Sequence, residues 1–393
     1  MLFLLTILFS FFCYHLAKRK IIFLTSRYRI KARSLPGYYG INIAAWNLFA
    51  SILAISALSA CRYFGYFVNE AYDYLAVISI FTILLIYILA SLKGRFRAQM
   101  HFELTLTWLL TIAAVTSILL TLSILFTILF EAFKFFNLIP IEQFLLGITW
   151  SPQDYQQNFG VIPVLTGTLL ITLIAMAIAL PLGLLSAIYL TEYTSKTTRA
   201  IIKPILEILA GIPTIVYGYF AVLVMGPFIR IIGEAFGLEV STESALSAGL
   251  VMGMMIIPFI LSLSDDAITA VPQNLRDAAL ALGSTRAEMI VKVVLPAASS
   301  GIVSAVLLAI SRAIGETMIV AMAAGINAKL TFNPLEAVTT FTVQIVALLV
   351  GDQEFDSPKT LSAFALALTL FIITLFLNIW ALIITKRNRK RYE

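Results

Sequence analysis

The sequence predicts an all-α, polytopic membrane protein with about nine transmembrane helices. Hydrophobic residues make up 60% of the 393 residues, and charged residues only 12%. The mean hydropathy is +0.97, which a soluble domain of this length does not reach. The apolar residues also form repeated runs of roughly 18 or more, the length with which a helix crosses a bilayer.

Each apolar run predicts one helix. The first run is followed by Lys18, Arg19 and Lys20, the reverse of the charge order in a secretory signal peptide, so we expect it to be retained as a helix. We expect the helices near residues 1–17, 42–60, 75–92, 105–130, 164–190, 205–228, 245–264, 298–323 and 361–385.

Basic residues are concentrated in alternate loops, which predicts an N-terminus outside and a C-terminus in the cytoplasm. The net charge of +6 is therefore interpreted as a topology signal, and nucleic-acid binding is not expected. The clusters are Lys18 to Arg33, Lys93 with Arg95 and Arg97, Lys196 with Arg199 and Lys203, Arg276 with Arg286 and Lys292, and Lys386 to Arg391.

Residues 335–350 are apolar but only about 16 residues long, shorter than a usual span. They also contain Glu336 and Gln344. We therefore expect a re-entrant or surface helix on the non-cytoplasmic side.

The composition divides the chain into an accessory membrane region with three helices, residues 1–103, and a core, residues 104–393. Glycines and prolines punctuate the helices of the core from about residue 160 onward. Small residues let helices approach closely, and proline bends them. For any single glycine, tight packing is the favoured interpretation.

A polar stretch, residues 265–296, separates two predicted spans and is too long for an ordinary turn. Helical propensity over Leu275–Leu282 and Thr285–Val293, with Gly283 between, predicts two helices joined at a left-handed glycine. We expect Ser284 to be the N-cap of the second helix, with an incomplete capping box. We also expect four exposed apolar side chains to bind a partner: Leu280, Leu282, Met289 and Ile290.

Arg312 lies inside the next predicted helix, roughly 24 Å beyond Pro296 at the helical rise per residue. An arginine at that depth costs about 2.5–3.5 kcal/mol on insertion scales. Glu316, four residues later, is predicted to pair with it. The pair could lock two helices together, but buried pairs seldom stabilise better than apolar packing. The favoured alternative is a substrate path for a tetrahedral oxyanion, which a forked guanidinium matches.

The polar stretch resembles the EAA motif of binding-protein-dependent ABC importer permeases. The matching residues are Asp277, Ala278, Ala279, Gly283, Val293, Leu295 and Pro296. Asp and Val replace the usual Glu and Ile. The resemblance implies a six-helix ABC type I importer core in which residues 265–296, here called the coupling segment, dock on an ATPase.

The resemblance also implies a chain that is not an enzyme and binds no cofactor itself. The sequence contains no phosphate-binding Gly-x4-Gly-Lys-Ser/Thr loop, so ATP and Mg²⁺ are expected on a partner ATPase. The cysteines Cys13 and Cys61 lie far apart in the sequence, and no metal site is predicted.

Residues 311–325, SRAIGETMIVAMAAG, are similar to PstC-type subunits of phosphate importers, as are residues 160–168 and 209–218. The resemblance implies a bacterial inner-membrane location, with a PstA-like permease, a PstB-like ATPase dimer and a periplasmic phosphate-binding protein as partners. It implies a path or gating role for Arg312, Glu316 and Thr317. Sulfate or molybdate permeases and the PstA-type subunit stay as alternatives; a secondary transporter or a membrane scaffold is the alternative of another class.

Overall fold

The computed structural model describes residues 2–28, 33–63, 71–90, 97–153, 157–350, 354 and 356–389. Helices dominate these residues, and the strands β1 and β2 form a single two-stranded antiparallel sheet. The elements are α1 Leu2–Tyr28, α2 Pro36–Tyr63, α3 Ala71–Ala90, α4 Ala98–Leu138, α5 Ile141–Leu146, β1 Trp150–Ser151, β2 Asn158–Phe159, α6 Ile162–Ile188, α7 Lys196–Ala210, α8 Thr214–Phe220, α9 Gly226–Ala235, α10 Ala245–Thr269, α11 Gln273–Ala281, α12 Arg286–Met289, α13 Leu295–Ile314, α14 Met318–Ala323, α15 Phe341–Leu349 and α16 Pro358–Arg389, with π-helical turns at Tyr189–Tyr193, Ala221–Met225 and Ile290–Val294.

Among the described residues, 8 helical segments are long and apolar enough to cross a membrane. This confirms the all-α membrane fold. Helix α1 forms where the first span was predicted but is not among the eight, and Lys18–Lys20 follow its apolar half. The predicted basic residues Arg29, Lys31, Lys93 and Arg95 and the tail beyond residue 389 lie outside the described residues.

The chain divides into two compact units, Met1–Ser123 and Ile124–Glu393, with the boundary inside α4. In the first unit α1, α2 and α3 pack around a small apolar core that includes Ile21 and Tyr39. Asn47 on α2 donates a hydrogen bond to Ser10 on α1 over 2.8 Å. The division predicted at 103/104 stays a prediction.

The second unit is organised around α6 and α10, whose facing surfaces form the largest apolar cluster. Three glycines line this contact, and a Cβ atom on any of them would meet the other helix. The added atom would lie 2.9 Å from Ile260 Cβ at Gly183, 2.7 Å from Ile174 Cβ at Gly249 and 3.0 Å from the Ala175 carbonyl oxygen at Gly253. The packing interpretation of these glycines is confirmed.

The helix predicted at 205–228 is wrong in its bounds. Helix α7 ends at Ala210, and a separate membrane segment runs over Thr214–Ala235. The break falls at Gly211 and at Pro213, which precedes the first residue of α8. Proline is tolerated at a helix start but has no N–H for an interior hydrogen bond, so it favours two helices over one.

The helix predicted at 298–323 is wrong at both ends. It begins at Arg286 and runs as one continuous segment to Ile314. The turn before Pro296, Ile290–Val294, is π-helical. This turn changes the backbone hydrogen-bond pattern at the point where proline lacks an N–H donor, so the helix can continue through Pro296. At the other end the helix stops at Ile314, and α14 begins only at Met318.

Within residues 335–350 only Phe341–Leu349 are helical. Nine residues extend about 13.5 Å, too short to span a bilayer, which confirms that this segment is not a transmembrane helix. Trp150 Nε1 donates to Gln344 Oε1 over 2.8 Å. Gln344, one of the polar residues that argued against a transmembrane helix, therefore links α15 to β1. The side of the membrane on which it lies stays a prediction.

We predict that Gly249→Ala lowers the thermal stability of the detergent-solubilised protein, because its Cβ would overlap Ile174 at the α6–α10 contact. Overpacking of this kind costs about 1–3 kcal/mol. Gly37→Ala in α2 is the matched control, since no atom lies within 4 Å of its added Cβ. Equal melting temperatures for the two variants would contradict the close approach of α6 and α10.

Candidate functional site

The coupling segment is two helices joined at a glycine turn, as predicted. Helix α11 ends at Ala281, and Gly283 has a φ of +88°, which side-chain-bearing residues rarely adopt. The predicted N-cap was wrong by one residue. Thr285, not Ser284, caps α12, and its capping box with Glu288 is complete because each residue accepts the other's backbone N–H.

The exposed apolar surface of the coupling segment is smaller than predicted. Leu282 is 89% exposed at the turn, and Leu280 is also exposed. Met289 and Ile290 are instead buried in the apolar cluster under the segment. The side chains of Met289 and Ile290 point inward, so they are not available to a partner. The apolar side chains that remain exposed in the coupling segment are Leu275, Leu280, Leu282 and Val291, and Leu282 at the turn is the most exposed of them.

The motif residues fall into two groups. Asp277 and Ala278 lie on the exposed face of α11, whereas Ala279 is buried beneath it. The Asp277 carboxylate accepts a hydrogen bond from Gln273 Nε2 over 3.0 Å. The other group is partly buried in the continuous helix that enters the membrane: Val293, Leu295 and Pro296. Gly283 stands between the groups at the turn.

A charge cluster at the end of α10 was missed by sequence reasoning. Asp265 was expected to begin the polar stretch, but it is fully buried in the last turns of α10. Its carboxylate accepts from Arg199 over 2.7 Å, Lys203 over 2.8 Å and Thr191 over 2.7 Å. Arg199 and Lys203, four residues apart on α7, were the available signal, since they share a helix face.

The same cluster changes the titration of Lys203, which also bonds Asp266 over 2.8 Å. Partial burial lowers the pKa of this amine, but hydrogen bonds from it to Asp265 and Asp266 act the other way and prevail, so the pKa is raised. Lys203 therefore stays protonated across the physiological range, and α7 remains tied to α10.

A second buried ion pair joins Arg276 to Glu192, with Nε and Oε1 3.1 Å apart. Arg276 immediately precedes the motif residue Asp277 and was predicted only as a basic residue of a loop. Glu192 lies in the π-helical turn that follows α6. Sequence reasoning did not find this pair because its members are 84 positions apart.

Arg312 does not pair with Glu316, so this prediction was wrong. Among the described residues, no ion pair involves either side chain, and the Arg312 guanidinium lies 5.9 Å from the centre of the Phe259 ring. The reason is the end of α13 at Ile314, which takes Glu316 off the helical face that Arg312 shares. Arg312 is exposed on the surface of the chain.

Glu316 is buried and acts locally as a cap. Its Oε1 accepts from the backbone N–H groups of Met318 over 3.1 Å and Ile319 over 3.4 Å, which satisfies donors at the start of α14. Its own carbonyl accepts from Thr342 Oγ1 over 2.8 Å. Thr317, partly buried beside it, occupies the position before α14.

The three predicted path residues therefore meet at a helix break between α13 and α14. Arg312 faces outward on the last full turn of α13, while Glu316 and Thr317 form the break itself. The arrangement leaves one exposed guanidinium without a carboxylate partner among the described side chains. Over the same residues, no group of three or more His, Cys, Asp or Glu side chains could hold a metal ion.

Comparison with known proteins identifies a matching family and several relatives. The model of the family described as binding-protein-dependent transport system inner membrane component matches residues 179–390. A probable ABC transporter permease protein YqgH of Bacillus subtilis is 34% identical over 235 residues, covering 60% of this chain and 74% of the relative. The phosphate transport system permease protein PstC of Xylella fastidiosa is 32% identical over 313 residues, covering 75% and 93%.

Among solved structures, one similar chain belongs to a bacterial alginate ABC transporter in complex with a periplasmic protein that holds an alginate pentasaccharide. It is 18% identical, covers 72% of this chain and 97% of its own length, and gives a TM-score of 0.49.

We predict that Asp265→Asn destabilises the protein strongly, because it leaves two partly buried cations without their shared carboxylate. Breaking a buried pair typically costs about 3 kcal/mol or more. Asp266→Asn is the matched control, because Asp266 is mostly exposed and pairs only with Lys203; exposed pairs contribute about 1 kcal/mol or less. Thermal unfolding in detergent distinguishes the two, and equal losses would contradict a special role for Asp265.

Proposed function

Because the chain belongs to the family of binding-protein-dependent transport system inner membrane components, we propose that it is the PstC-type permease subunit of an ATP-driven importer of inorganic phosphate. Transport proceeds by alternating access, with ATP hydrolysed by a partner subunit. Support for the cargo comes from the curated relatives named as phosphate permeases, which include chains 32% and 34% identical from Pasteurella multocida and Haemophilus influenzae.

The observation that carries the proposal is the state of Arg312. It lies in the last turn of the candidate membrane span Arg286–Ile314, and an arginine without a partner inside a bilayer is costly. Glu316 does not neutralise it, because that carboxylate caps α14. The guanidinium is therefore free to meet an anion, and its planar fork of donors matches the oxygens of a tetrahedral oxyanion.

The family implies two kinds of partner, a separate ATPase and a substrate-binding protein. We assign the ATPase, a PstB-like dimer, to the exposed end of α11 and the Gly283 turn, where Leu280 and Leu282 present apolar surface. A PstA-like second permease completes the path beside Arg312, and a periplasmic phosphate-binding protein delivers the anion. The distribution of basic residues along the sequence supports an orientation with the N-terminus outside and the coupling segment in the cytoplasm.

The experiment that tests the cargo is ATP hydrolysis by the reconstituted complex with each candidate anion and its binding protein. We expect phosphate to stimulate hydrolysis and sulfate and molybdate to leave it at the basal rate. Stimulation of ATP hydrolysis by sulfate or molybdate instead of phosphate would identify that anion as the transported substrate. Phosphate transport by this chain alone, without an ATPase, would identify a secondary transporter.

We predict that Arg312→Ala lowers phosphate uptake roughly tenfold or more, because charge-assisted hydrogen bonds of this kind contribute about 1.5–3 kcal/mol. Arg312→Lys should restore only part of the uptake, since lysine keeps the charge but loses the fork. Arg230→Ala is the control, because Arg230 makes only an exposed pair with Glu234. Normal uptake by a well-assembled Arg312→Ala complex would exclude Arg312 from the path.

We predict that Gly283→Val weakens retention of the ATPase and uptake together, because a side chain at a φ of +88° is strained and displaces the docking turn. Gly237→Val is the matched control: Gly237 also has a positive φ, +71°, and open space around it, but lies outside the coupling segment. Co-purification of the ATPase measures the effect. Equal retention of the ATPase by both variants would show that the ATPase docks on another surface.

A further inference from the structure

Arg276 joins three elements at the base of the coupling segment. Its guanidinium donates to Glu192 Oε1 over 3.1 Å and to the Ile268 carbonyl over 2.7 Å, and it also donates to the Val271 carbonyl. Ile268 lies in the last turn of α10, and its carbonyl also accepts from the backbone N–H of Val271. One side chain of α11 therefore closes the end of α10 and contacts the turn after α6.

Glu192 receives this contact on a turn that is itself fixed to α10. The neighbouring Thr191 hydroxyl lies 2.7 Å from the Asp265 carboxylate and 2.8 Å from the Ala187 carbonyl, and its single O–H can donate to either. The π-helical turn Tyr189–Tyr193 thus bonds to the end of α10 through Thr191 and to α11 through Glu192. Among the described residues, the ion pair of Glu192 and Arg276 links the turn after α6 to α11.

The pair is enclosed rather than solvated. Arg276 is 7% exposed and Glu192 is 8% exposed. The turn after α6 and the coupling segment also share an apolar cluster, which includes Leu190, Ile268, Val271, Ala279, Met289 and Ile290. The hydrogen bonds of the pair therefore form in a largely buried environment, where they are electrostatically stronger than in water.

The exposed docking residues lie at the other end of the same short helix. Leu280 is one helical turn beyond Arg276, and Leu282 follows at the turn. A helix of nine residues, about 13.5 Å long, moves as a unit, so displacement of its end also displaces Arg276. Arg276 in turn is bonded to the turn that ends α6.

We propose that the buried pair of Glu192 and Arg276 positions α11 against α6 and transmits movement of the coupling segment to that membrane helix. The transport readout of this proposal rests on the proposed function; the geometric readout does not. A buried ion pair stabilises little more than apolar packing would, so its expected role is in directional transmission rather than in stability.

The first test measures phosphate transported per ATP hydrolysed by the reconstituted complex carrying Glu192→Gln or Arg276→Lys. Glutamine keeps the shape of Glu192 without its charge, and lysine keeps the charge of Arg276 without the fixed fork of guanidinium donors. We expect both variants to retain the ATPase and hydrolyse ATP, with at least a threefold lower transport ratio, roughly 0.7 kcal/mol of lost coupling.

Arg230→Gln is the matched control, because it removes an exposed ion pair with Glu234 that lies outside the coupling segment. We expect its transport ratio to equal that of the wild type. An unchanged ratio in both test variants would overturn the proposal. Loss of the ATPase from both would also overturn it, because the pair would then hold the docking helix together rather than transmit its movement.

The second test needs no transported substrate. Spin labels at Asn274 on α11 and Leu185 on α6, both exposed, report the distance between these helices after Cys13 and Cys61 are replaced by serine. We expect the wild-type distance to stay the same with and without ATP, and the Glu192→Gln distribution to shift or broaden on ATP binding. A wild-type distance that changes with ATP would overturn the rigid link, whereas absence of phosphate uptake by the wild type would count only against the proposed cargo.

Discussion

The close approach of α6 and α10 is the constraint on which the second unit of this protein depends. Glycines at 183, 249 and 253 leave no space for a side chain between the helices, and isoleucine side chains of each helix fill the opposite surface. Lipid tails are as apolar as these side chains, so the hydrophobic effect contributes little to association in a bilayer. Van der Waals contacts along the closely packed α6–α10 interface have to supply the stabilisation instead.

The ends of these two helices carry the polar contacts that the membrane interior excludes. Asp265 lies near the end of α10 and binds Arg199 and Lys203 of α7, while Glu192 follows α6 and binds Arg276. Each of these charges has an opposite charge close by. Arg312 differs, because no described carboxylate reaches it, and this difference is what makes it a candidate for contact with a transported anion.

Several features of the site were predictable because they depend on local chemistry. Gly283 was predicted to take a left-handed conformation, and its φ of +88° confirms this. The cap was misplaced by one residue, since Ser284 and Thr285 are both good caps and the backbone geometry decides between them. The Arg312–Glu316 pair was wrong because spacing of four residues implies a shared face only while the helix continues, and α13 stops at Ile314.

The amino-acid sequence alone predicts a helical membrane protein, because apolar runs of this length cross a bilayer as helices that satisfy their own backbone groups. It also located the coupling segment, whose glycine and helix patterns are local. Which charged side chains pair with one another depends instead on how the helices pack. Asp265 with Arg199, and Glu192 with Arg276, are separated by 66 and 84 positions. Such partners are chosen by the packing of α6, α7 and α10, which no local pattern encodes.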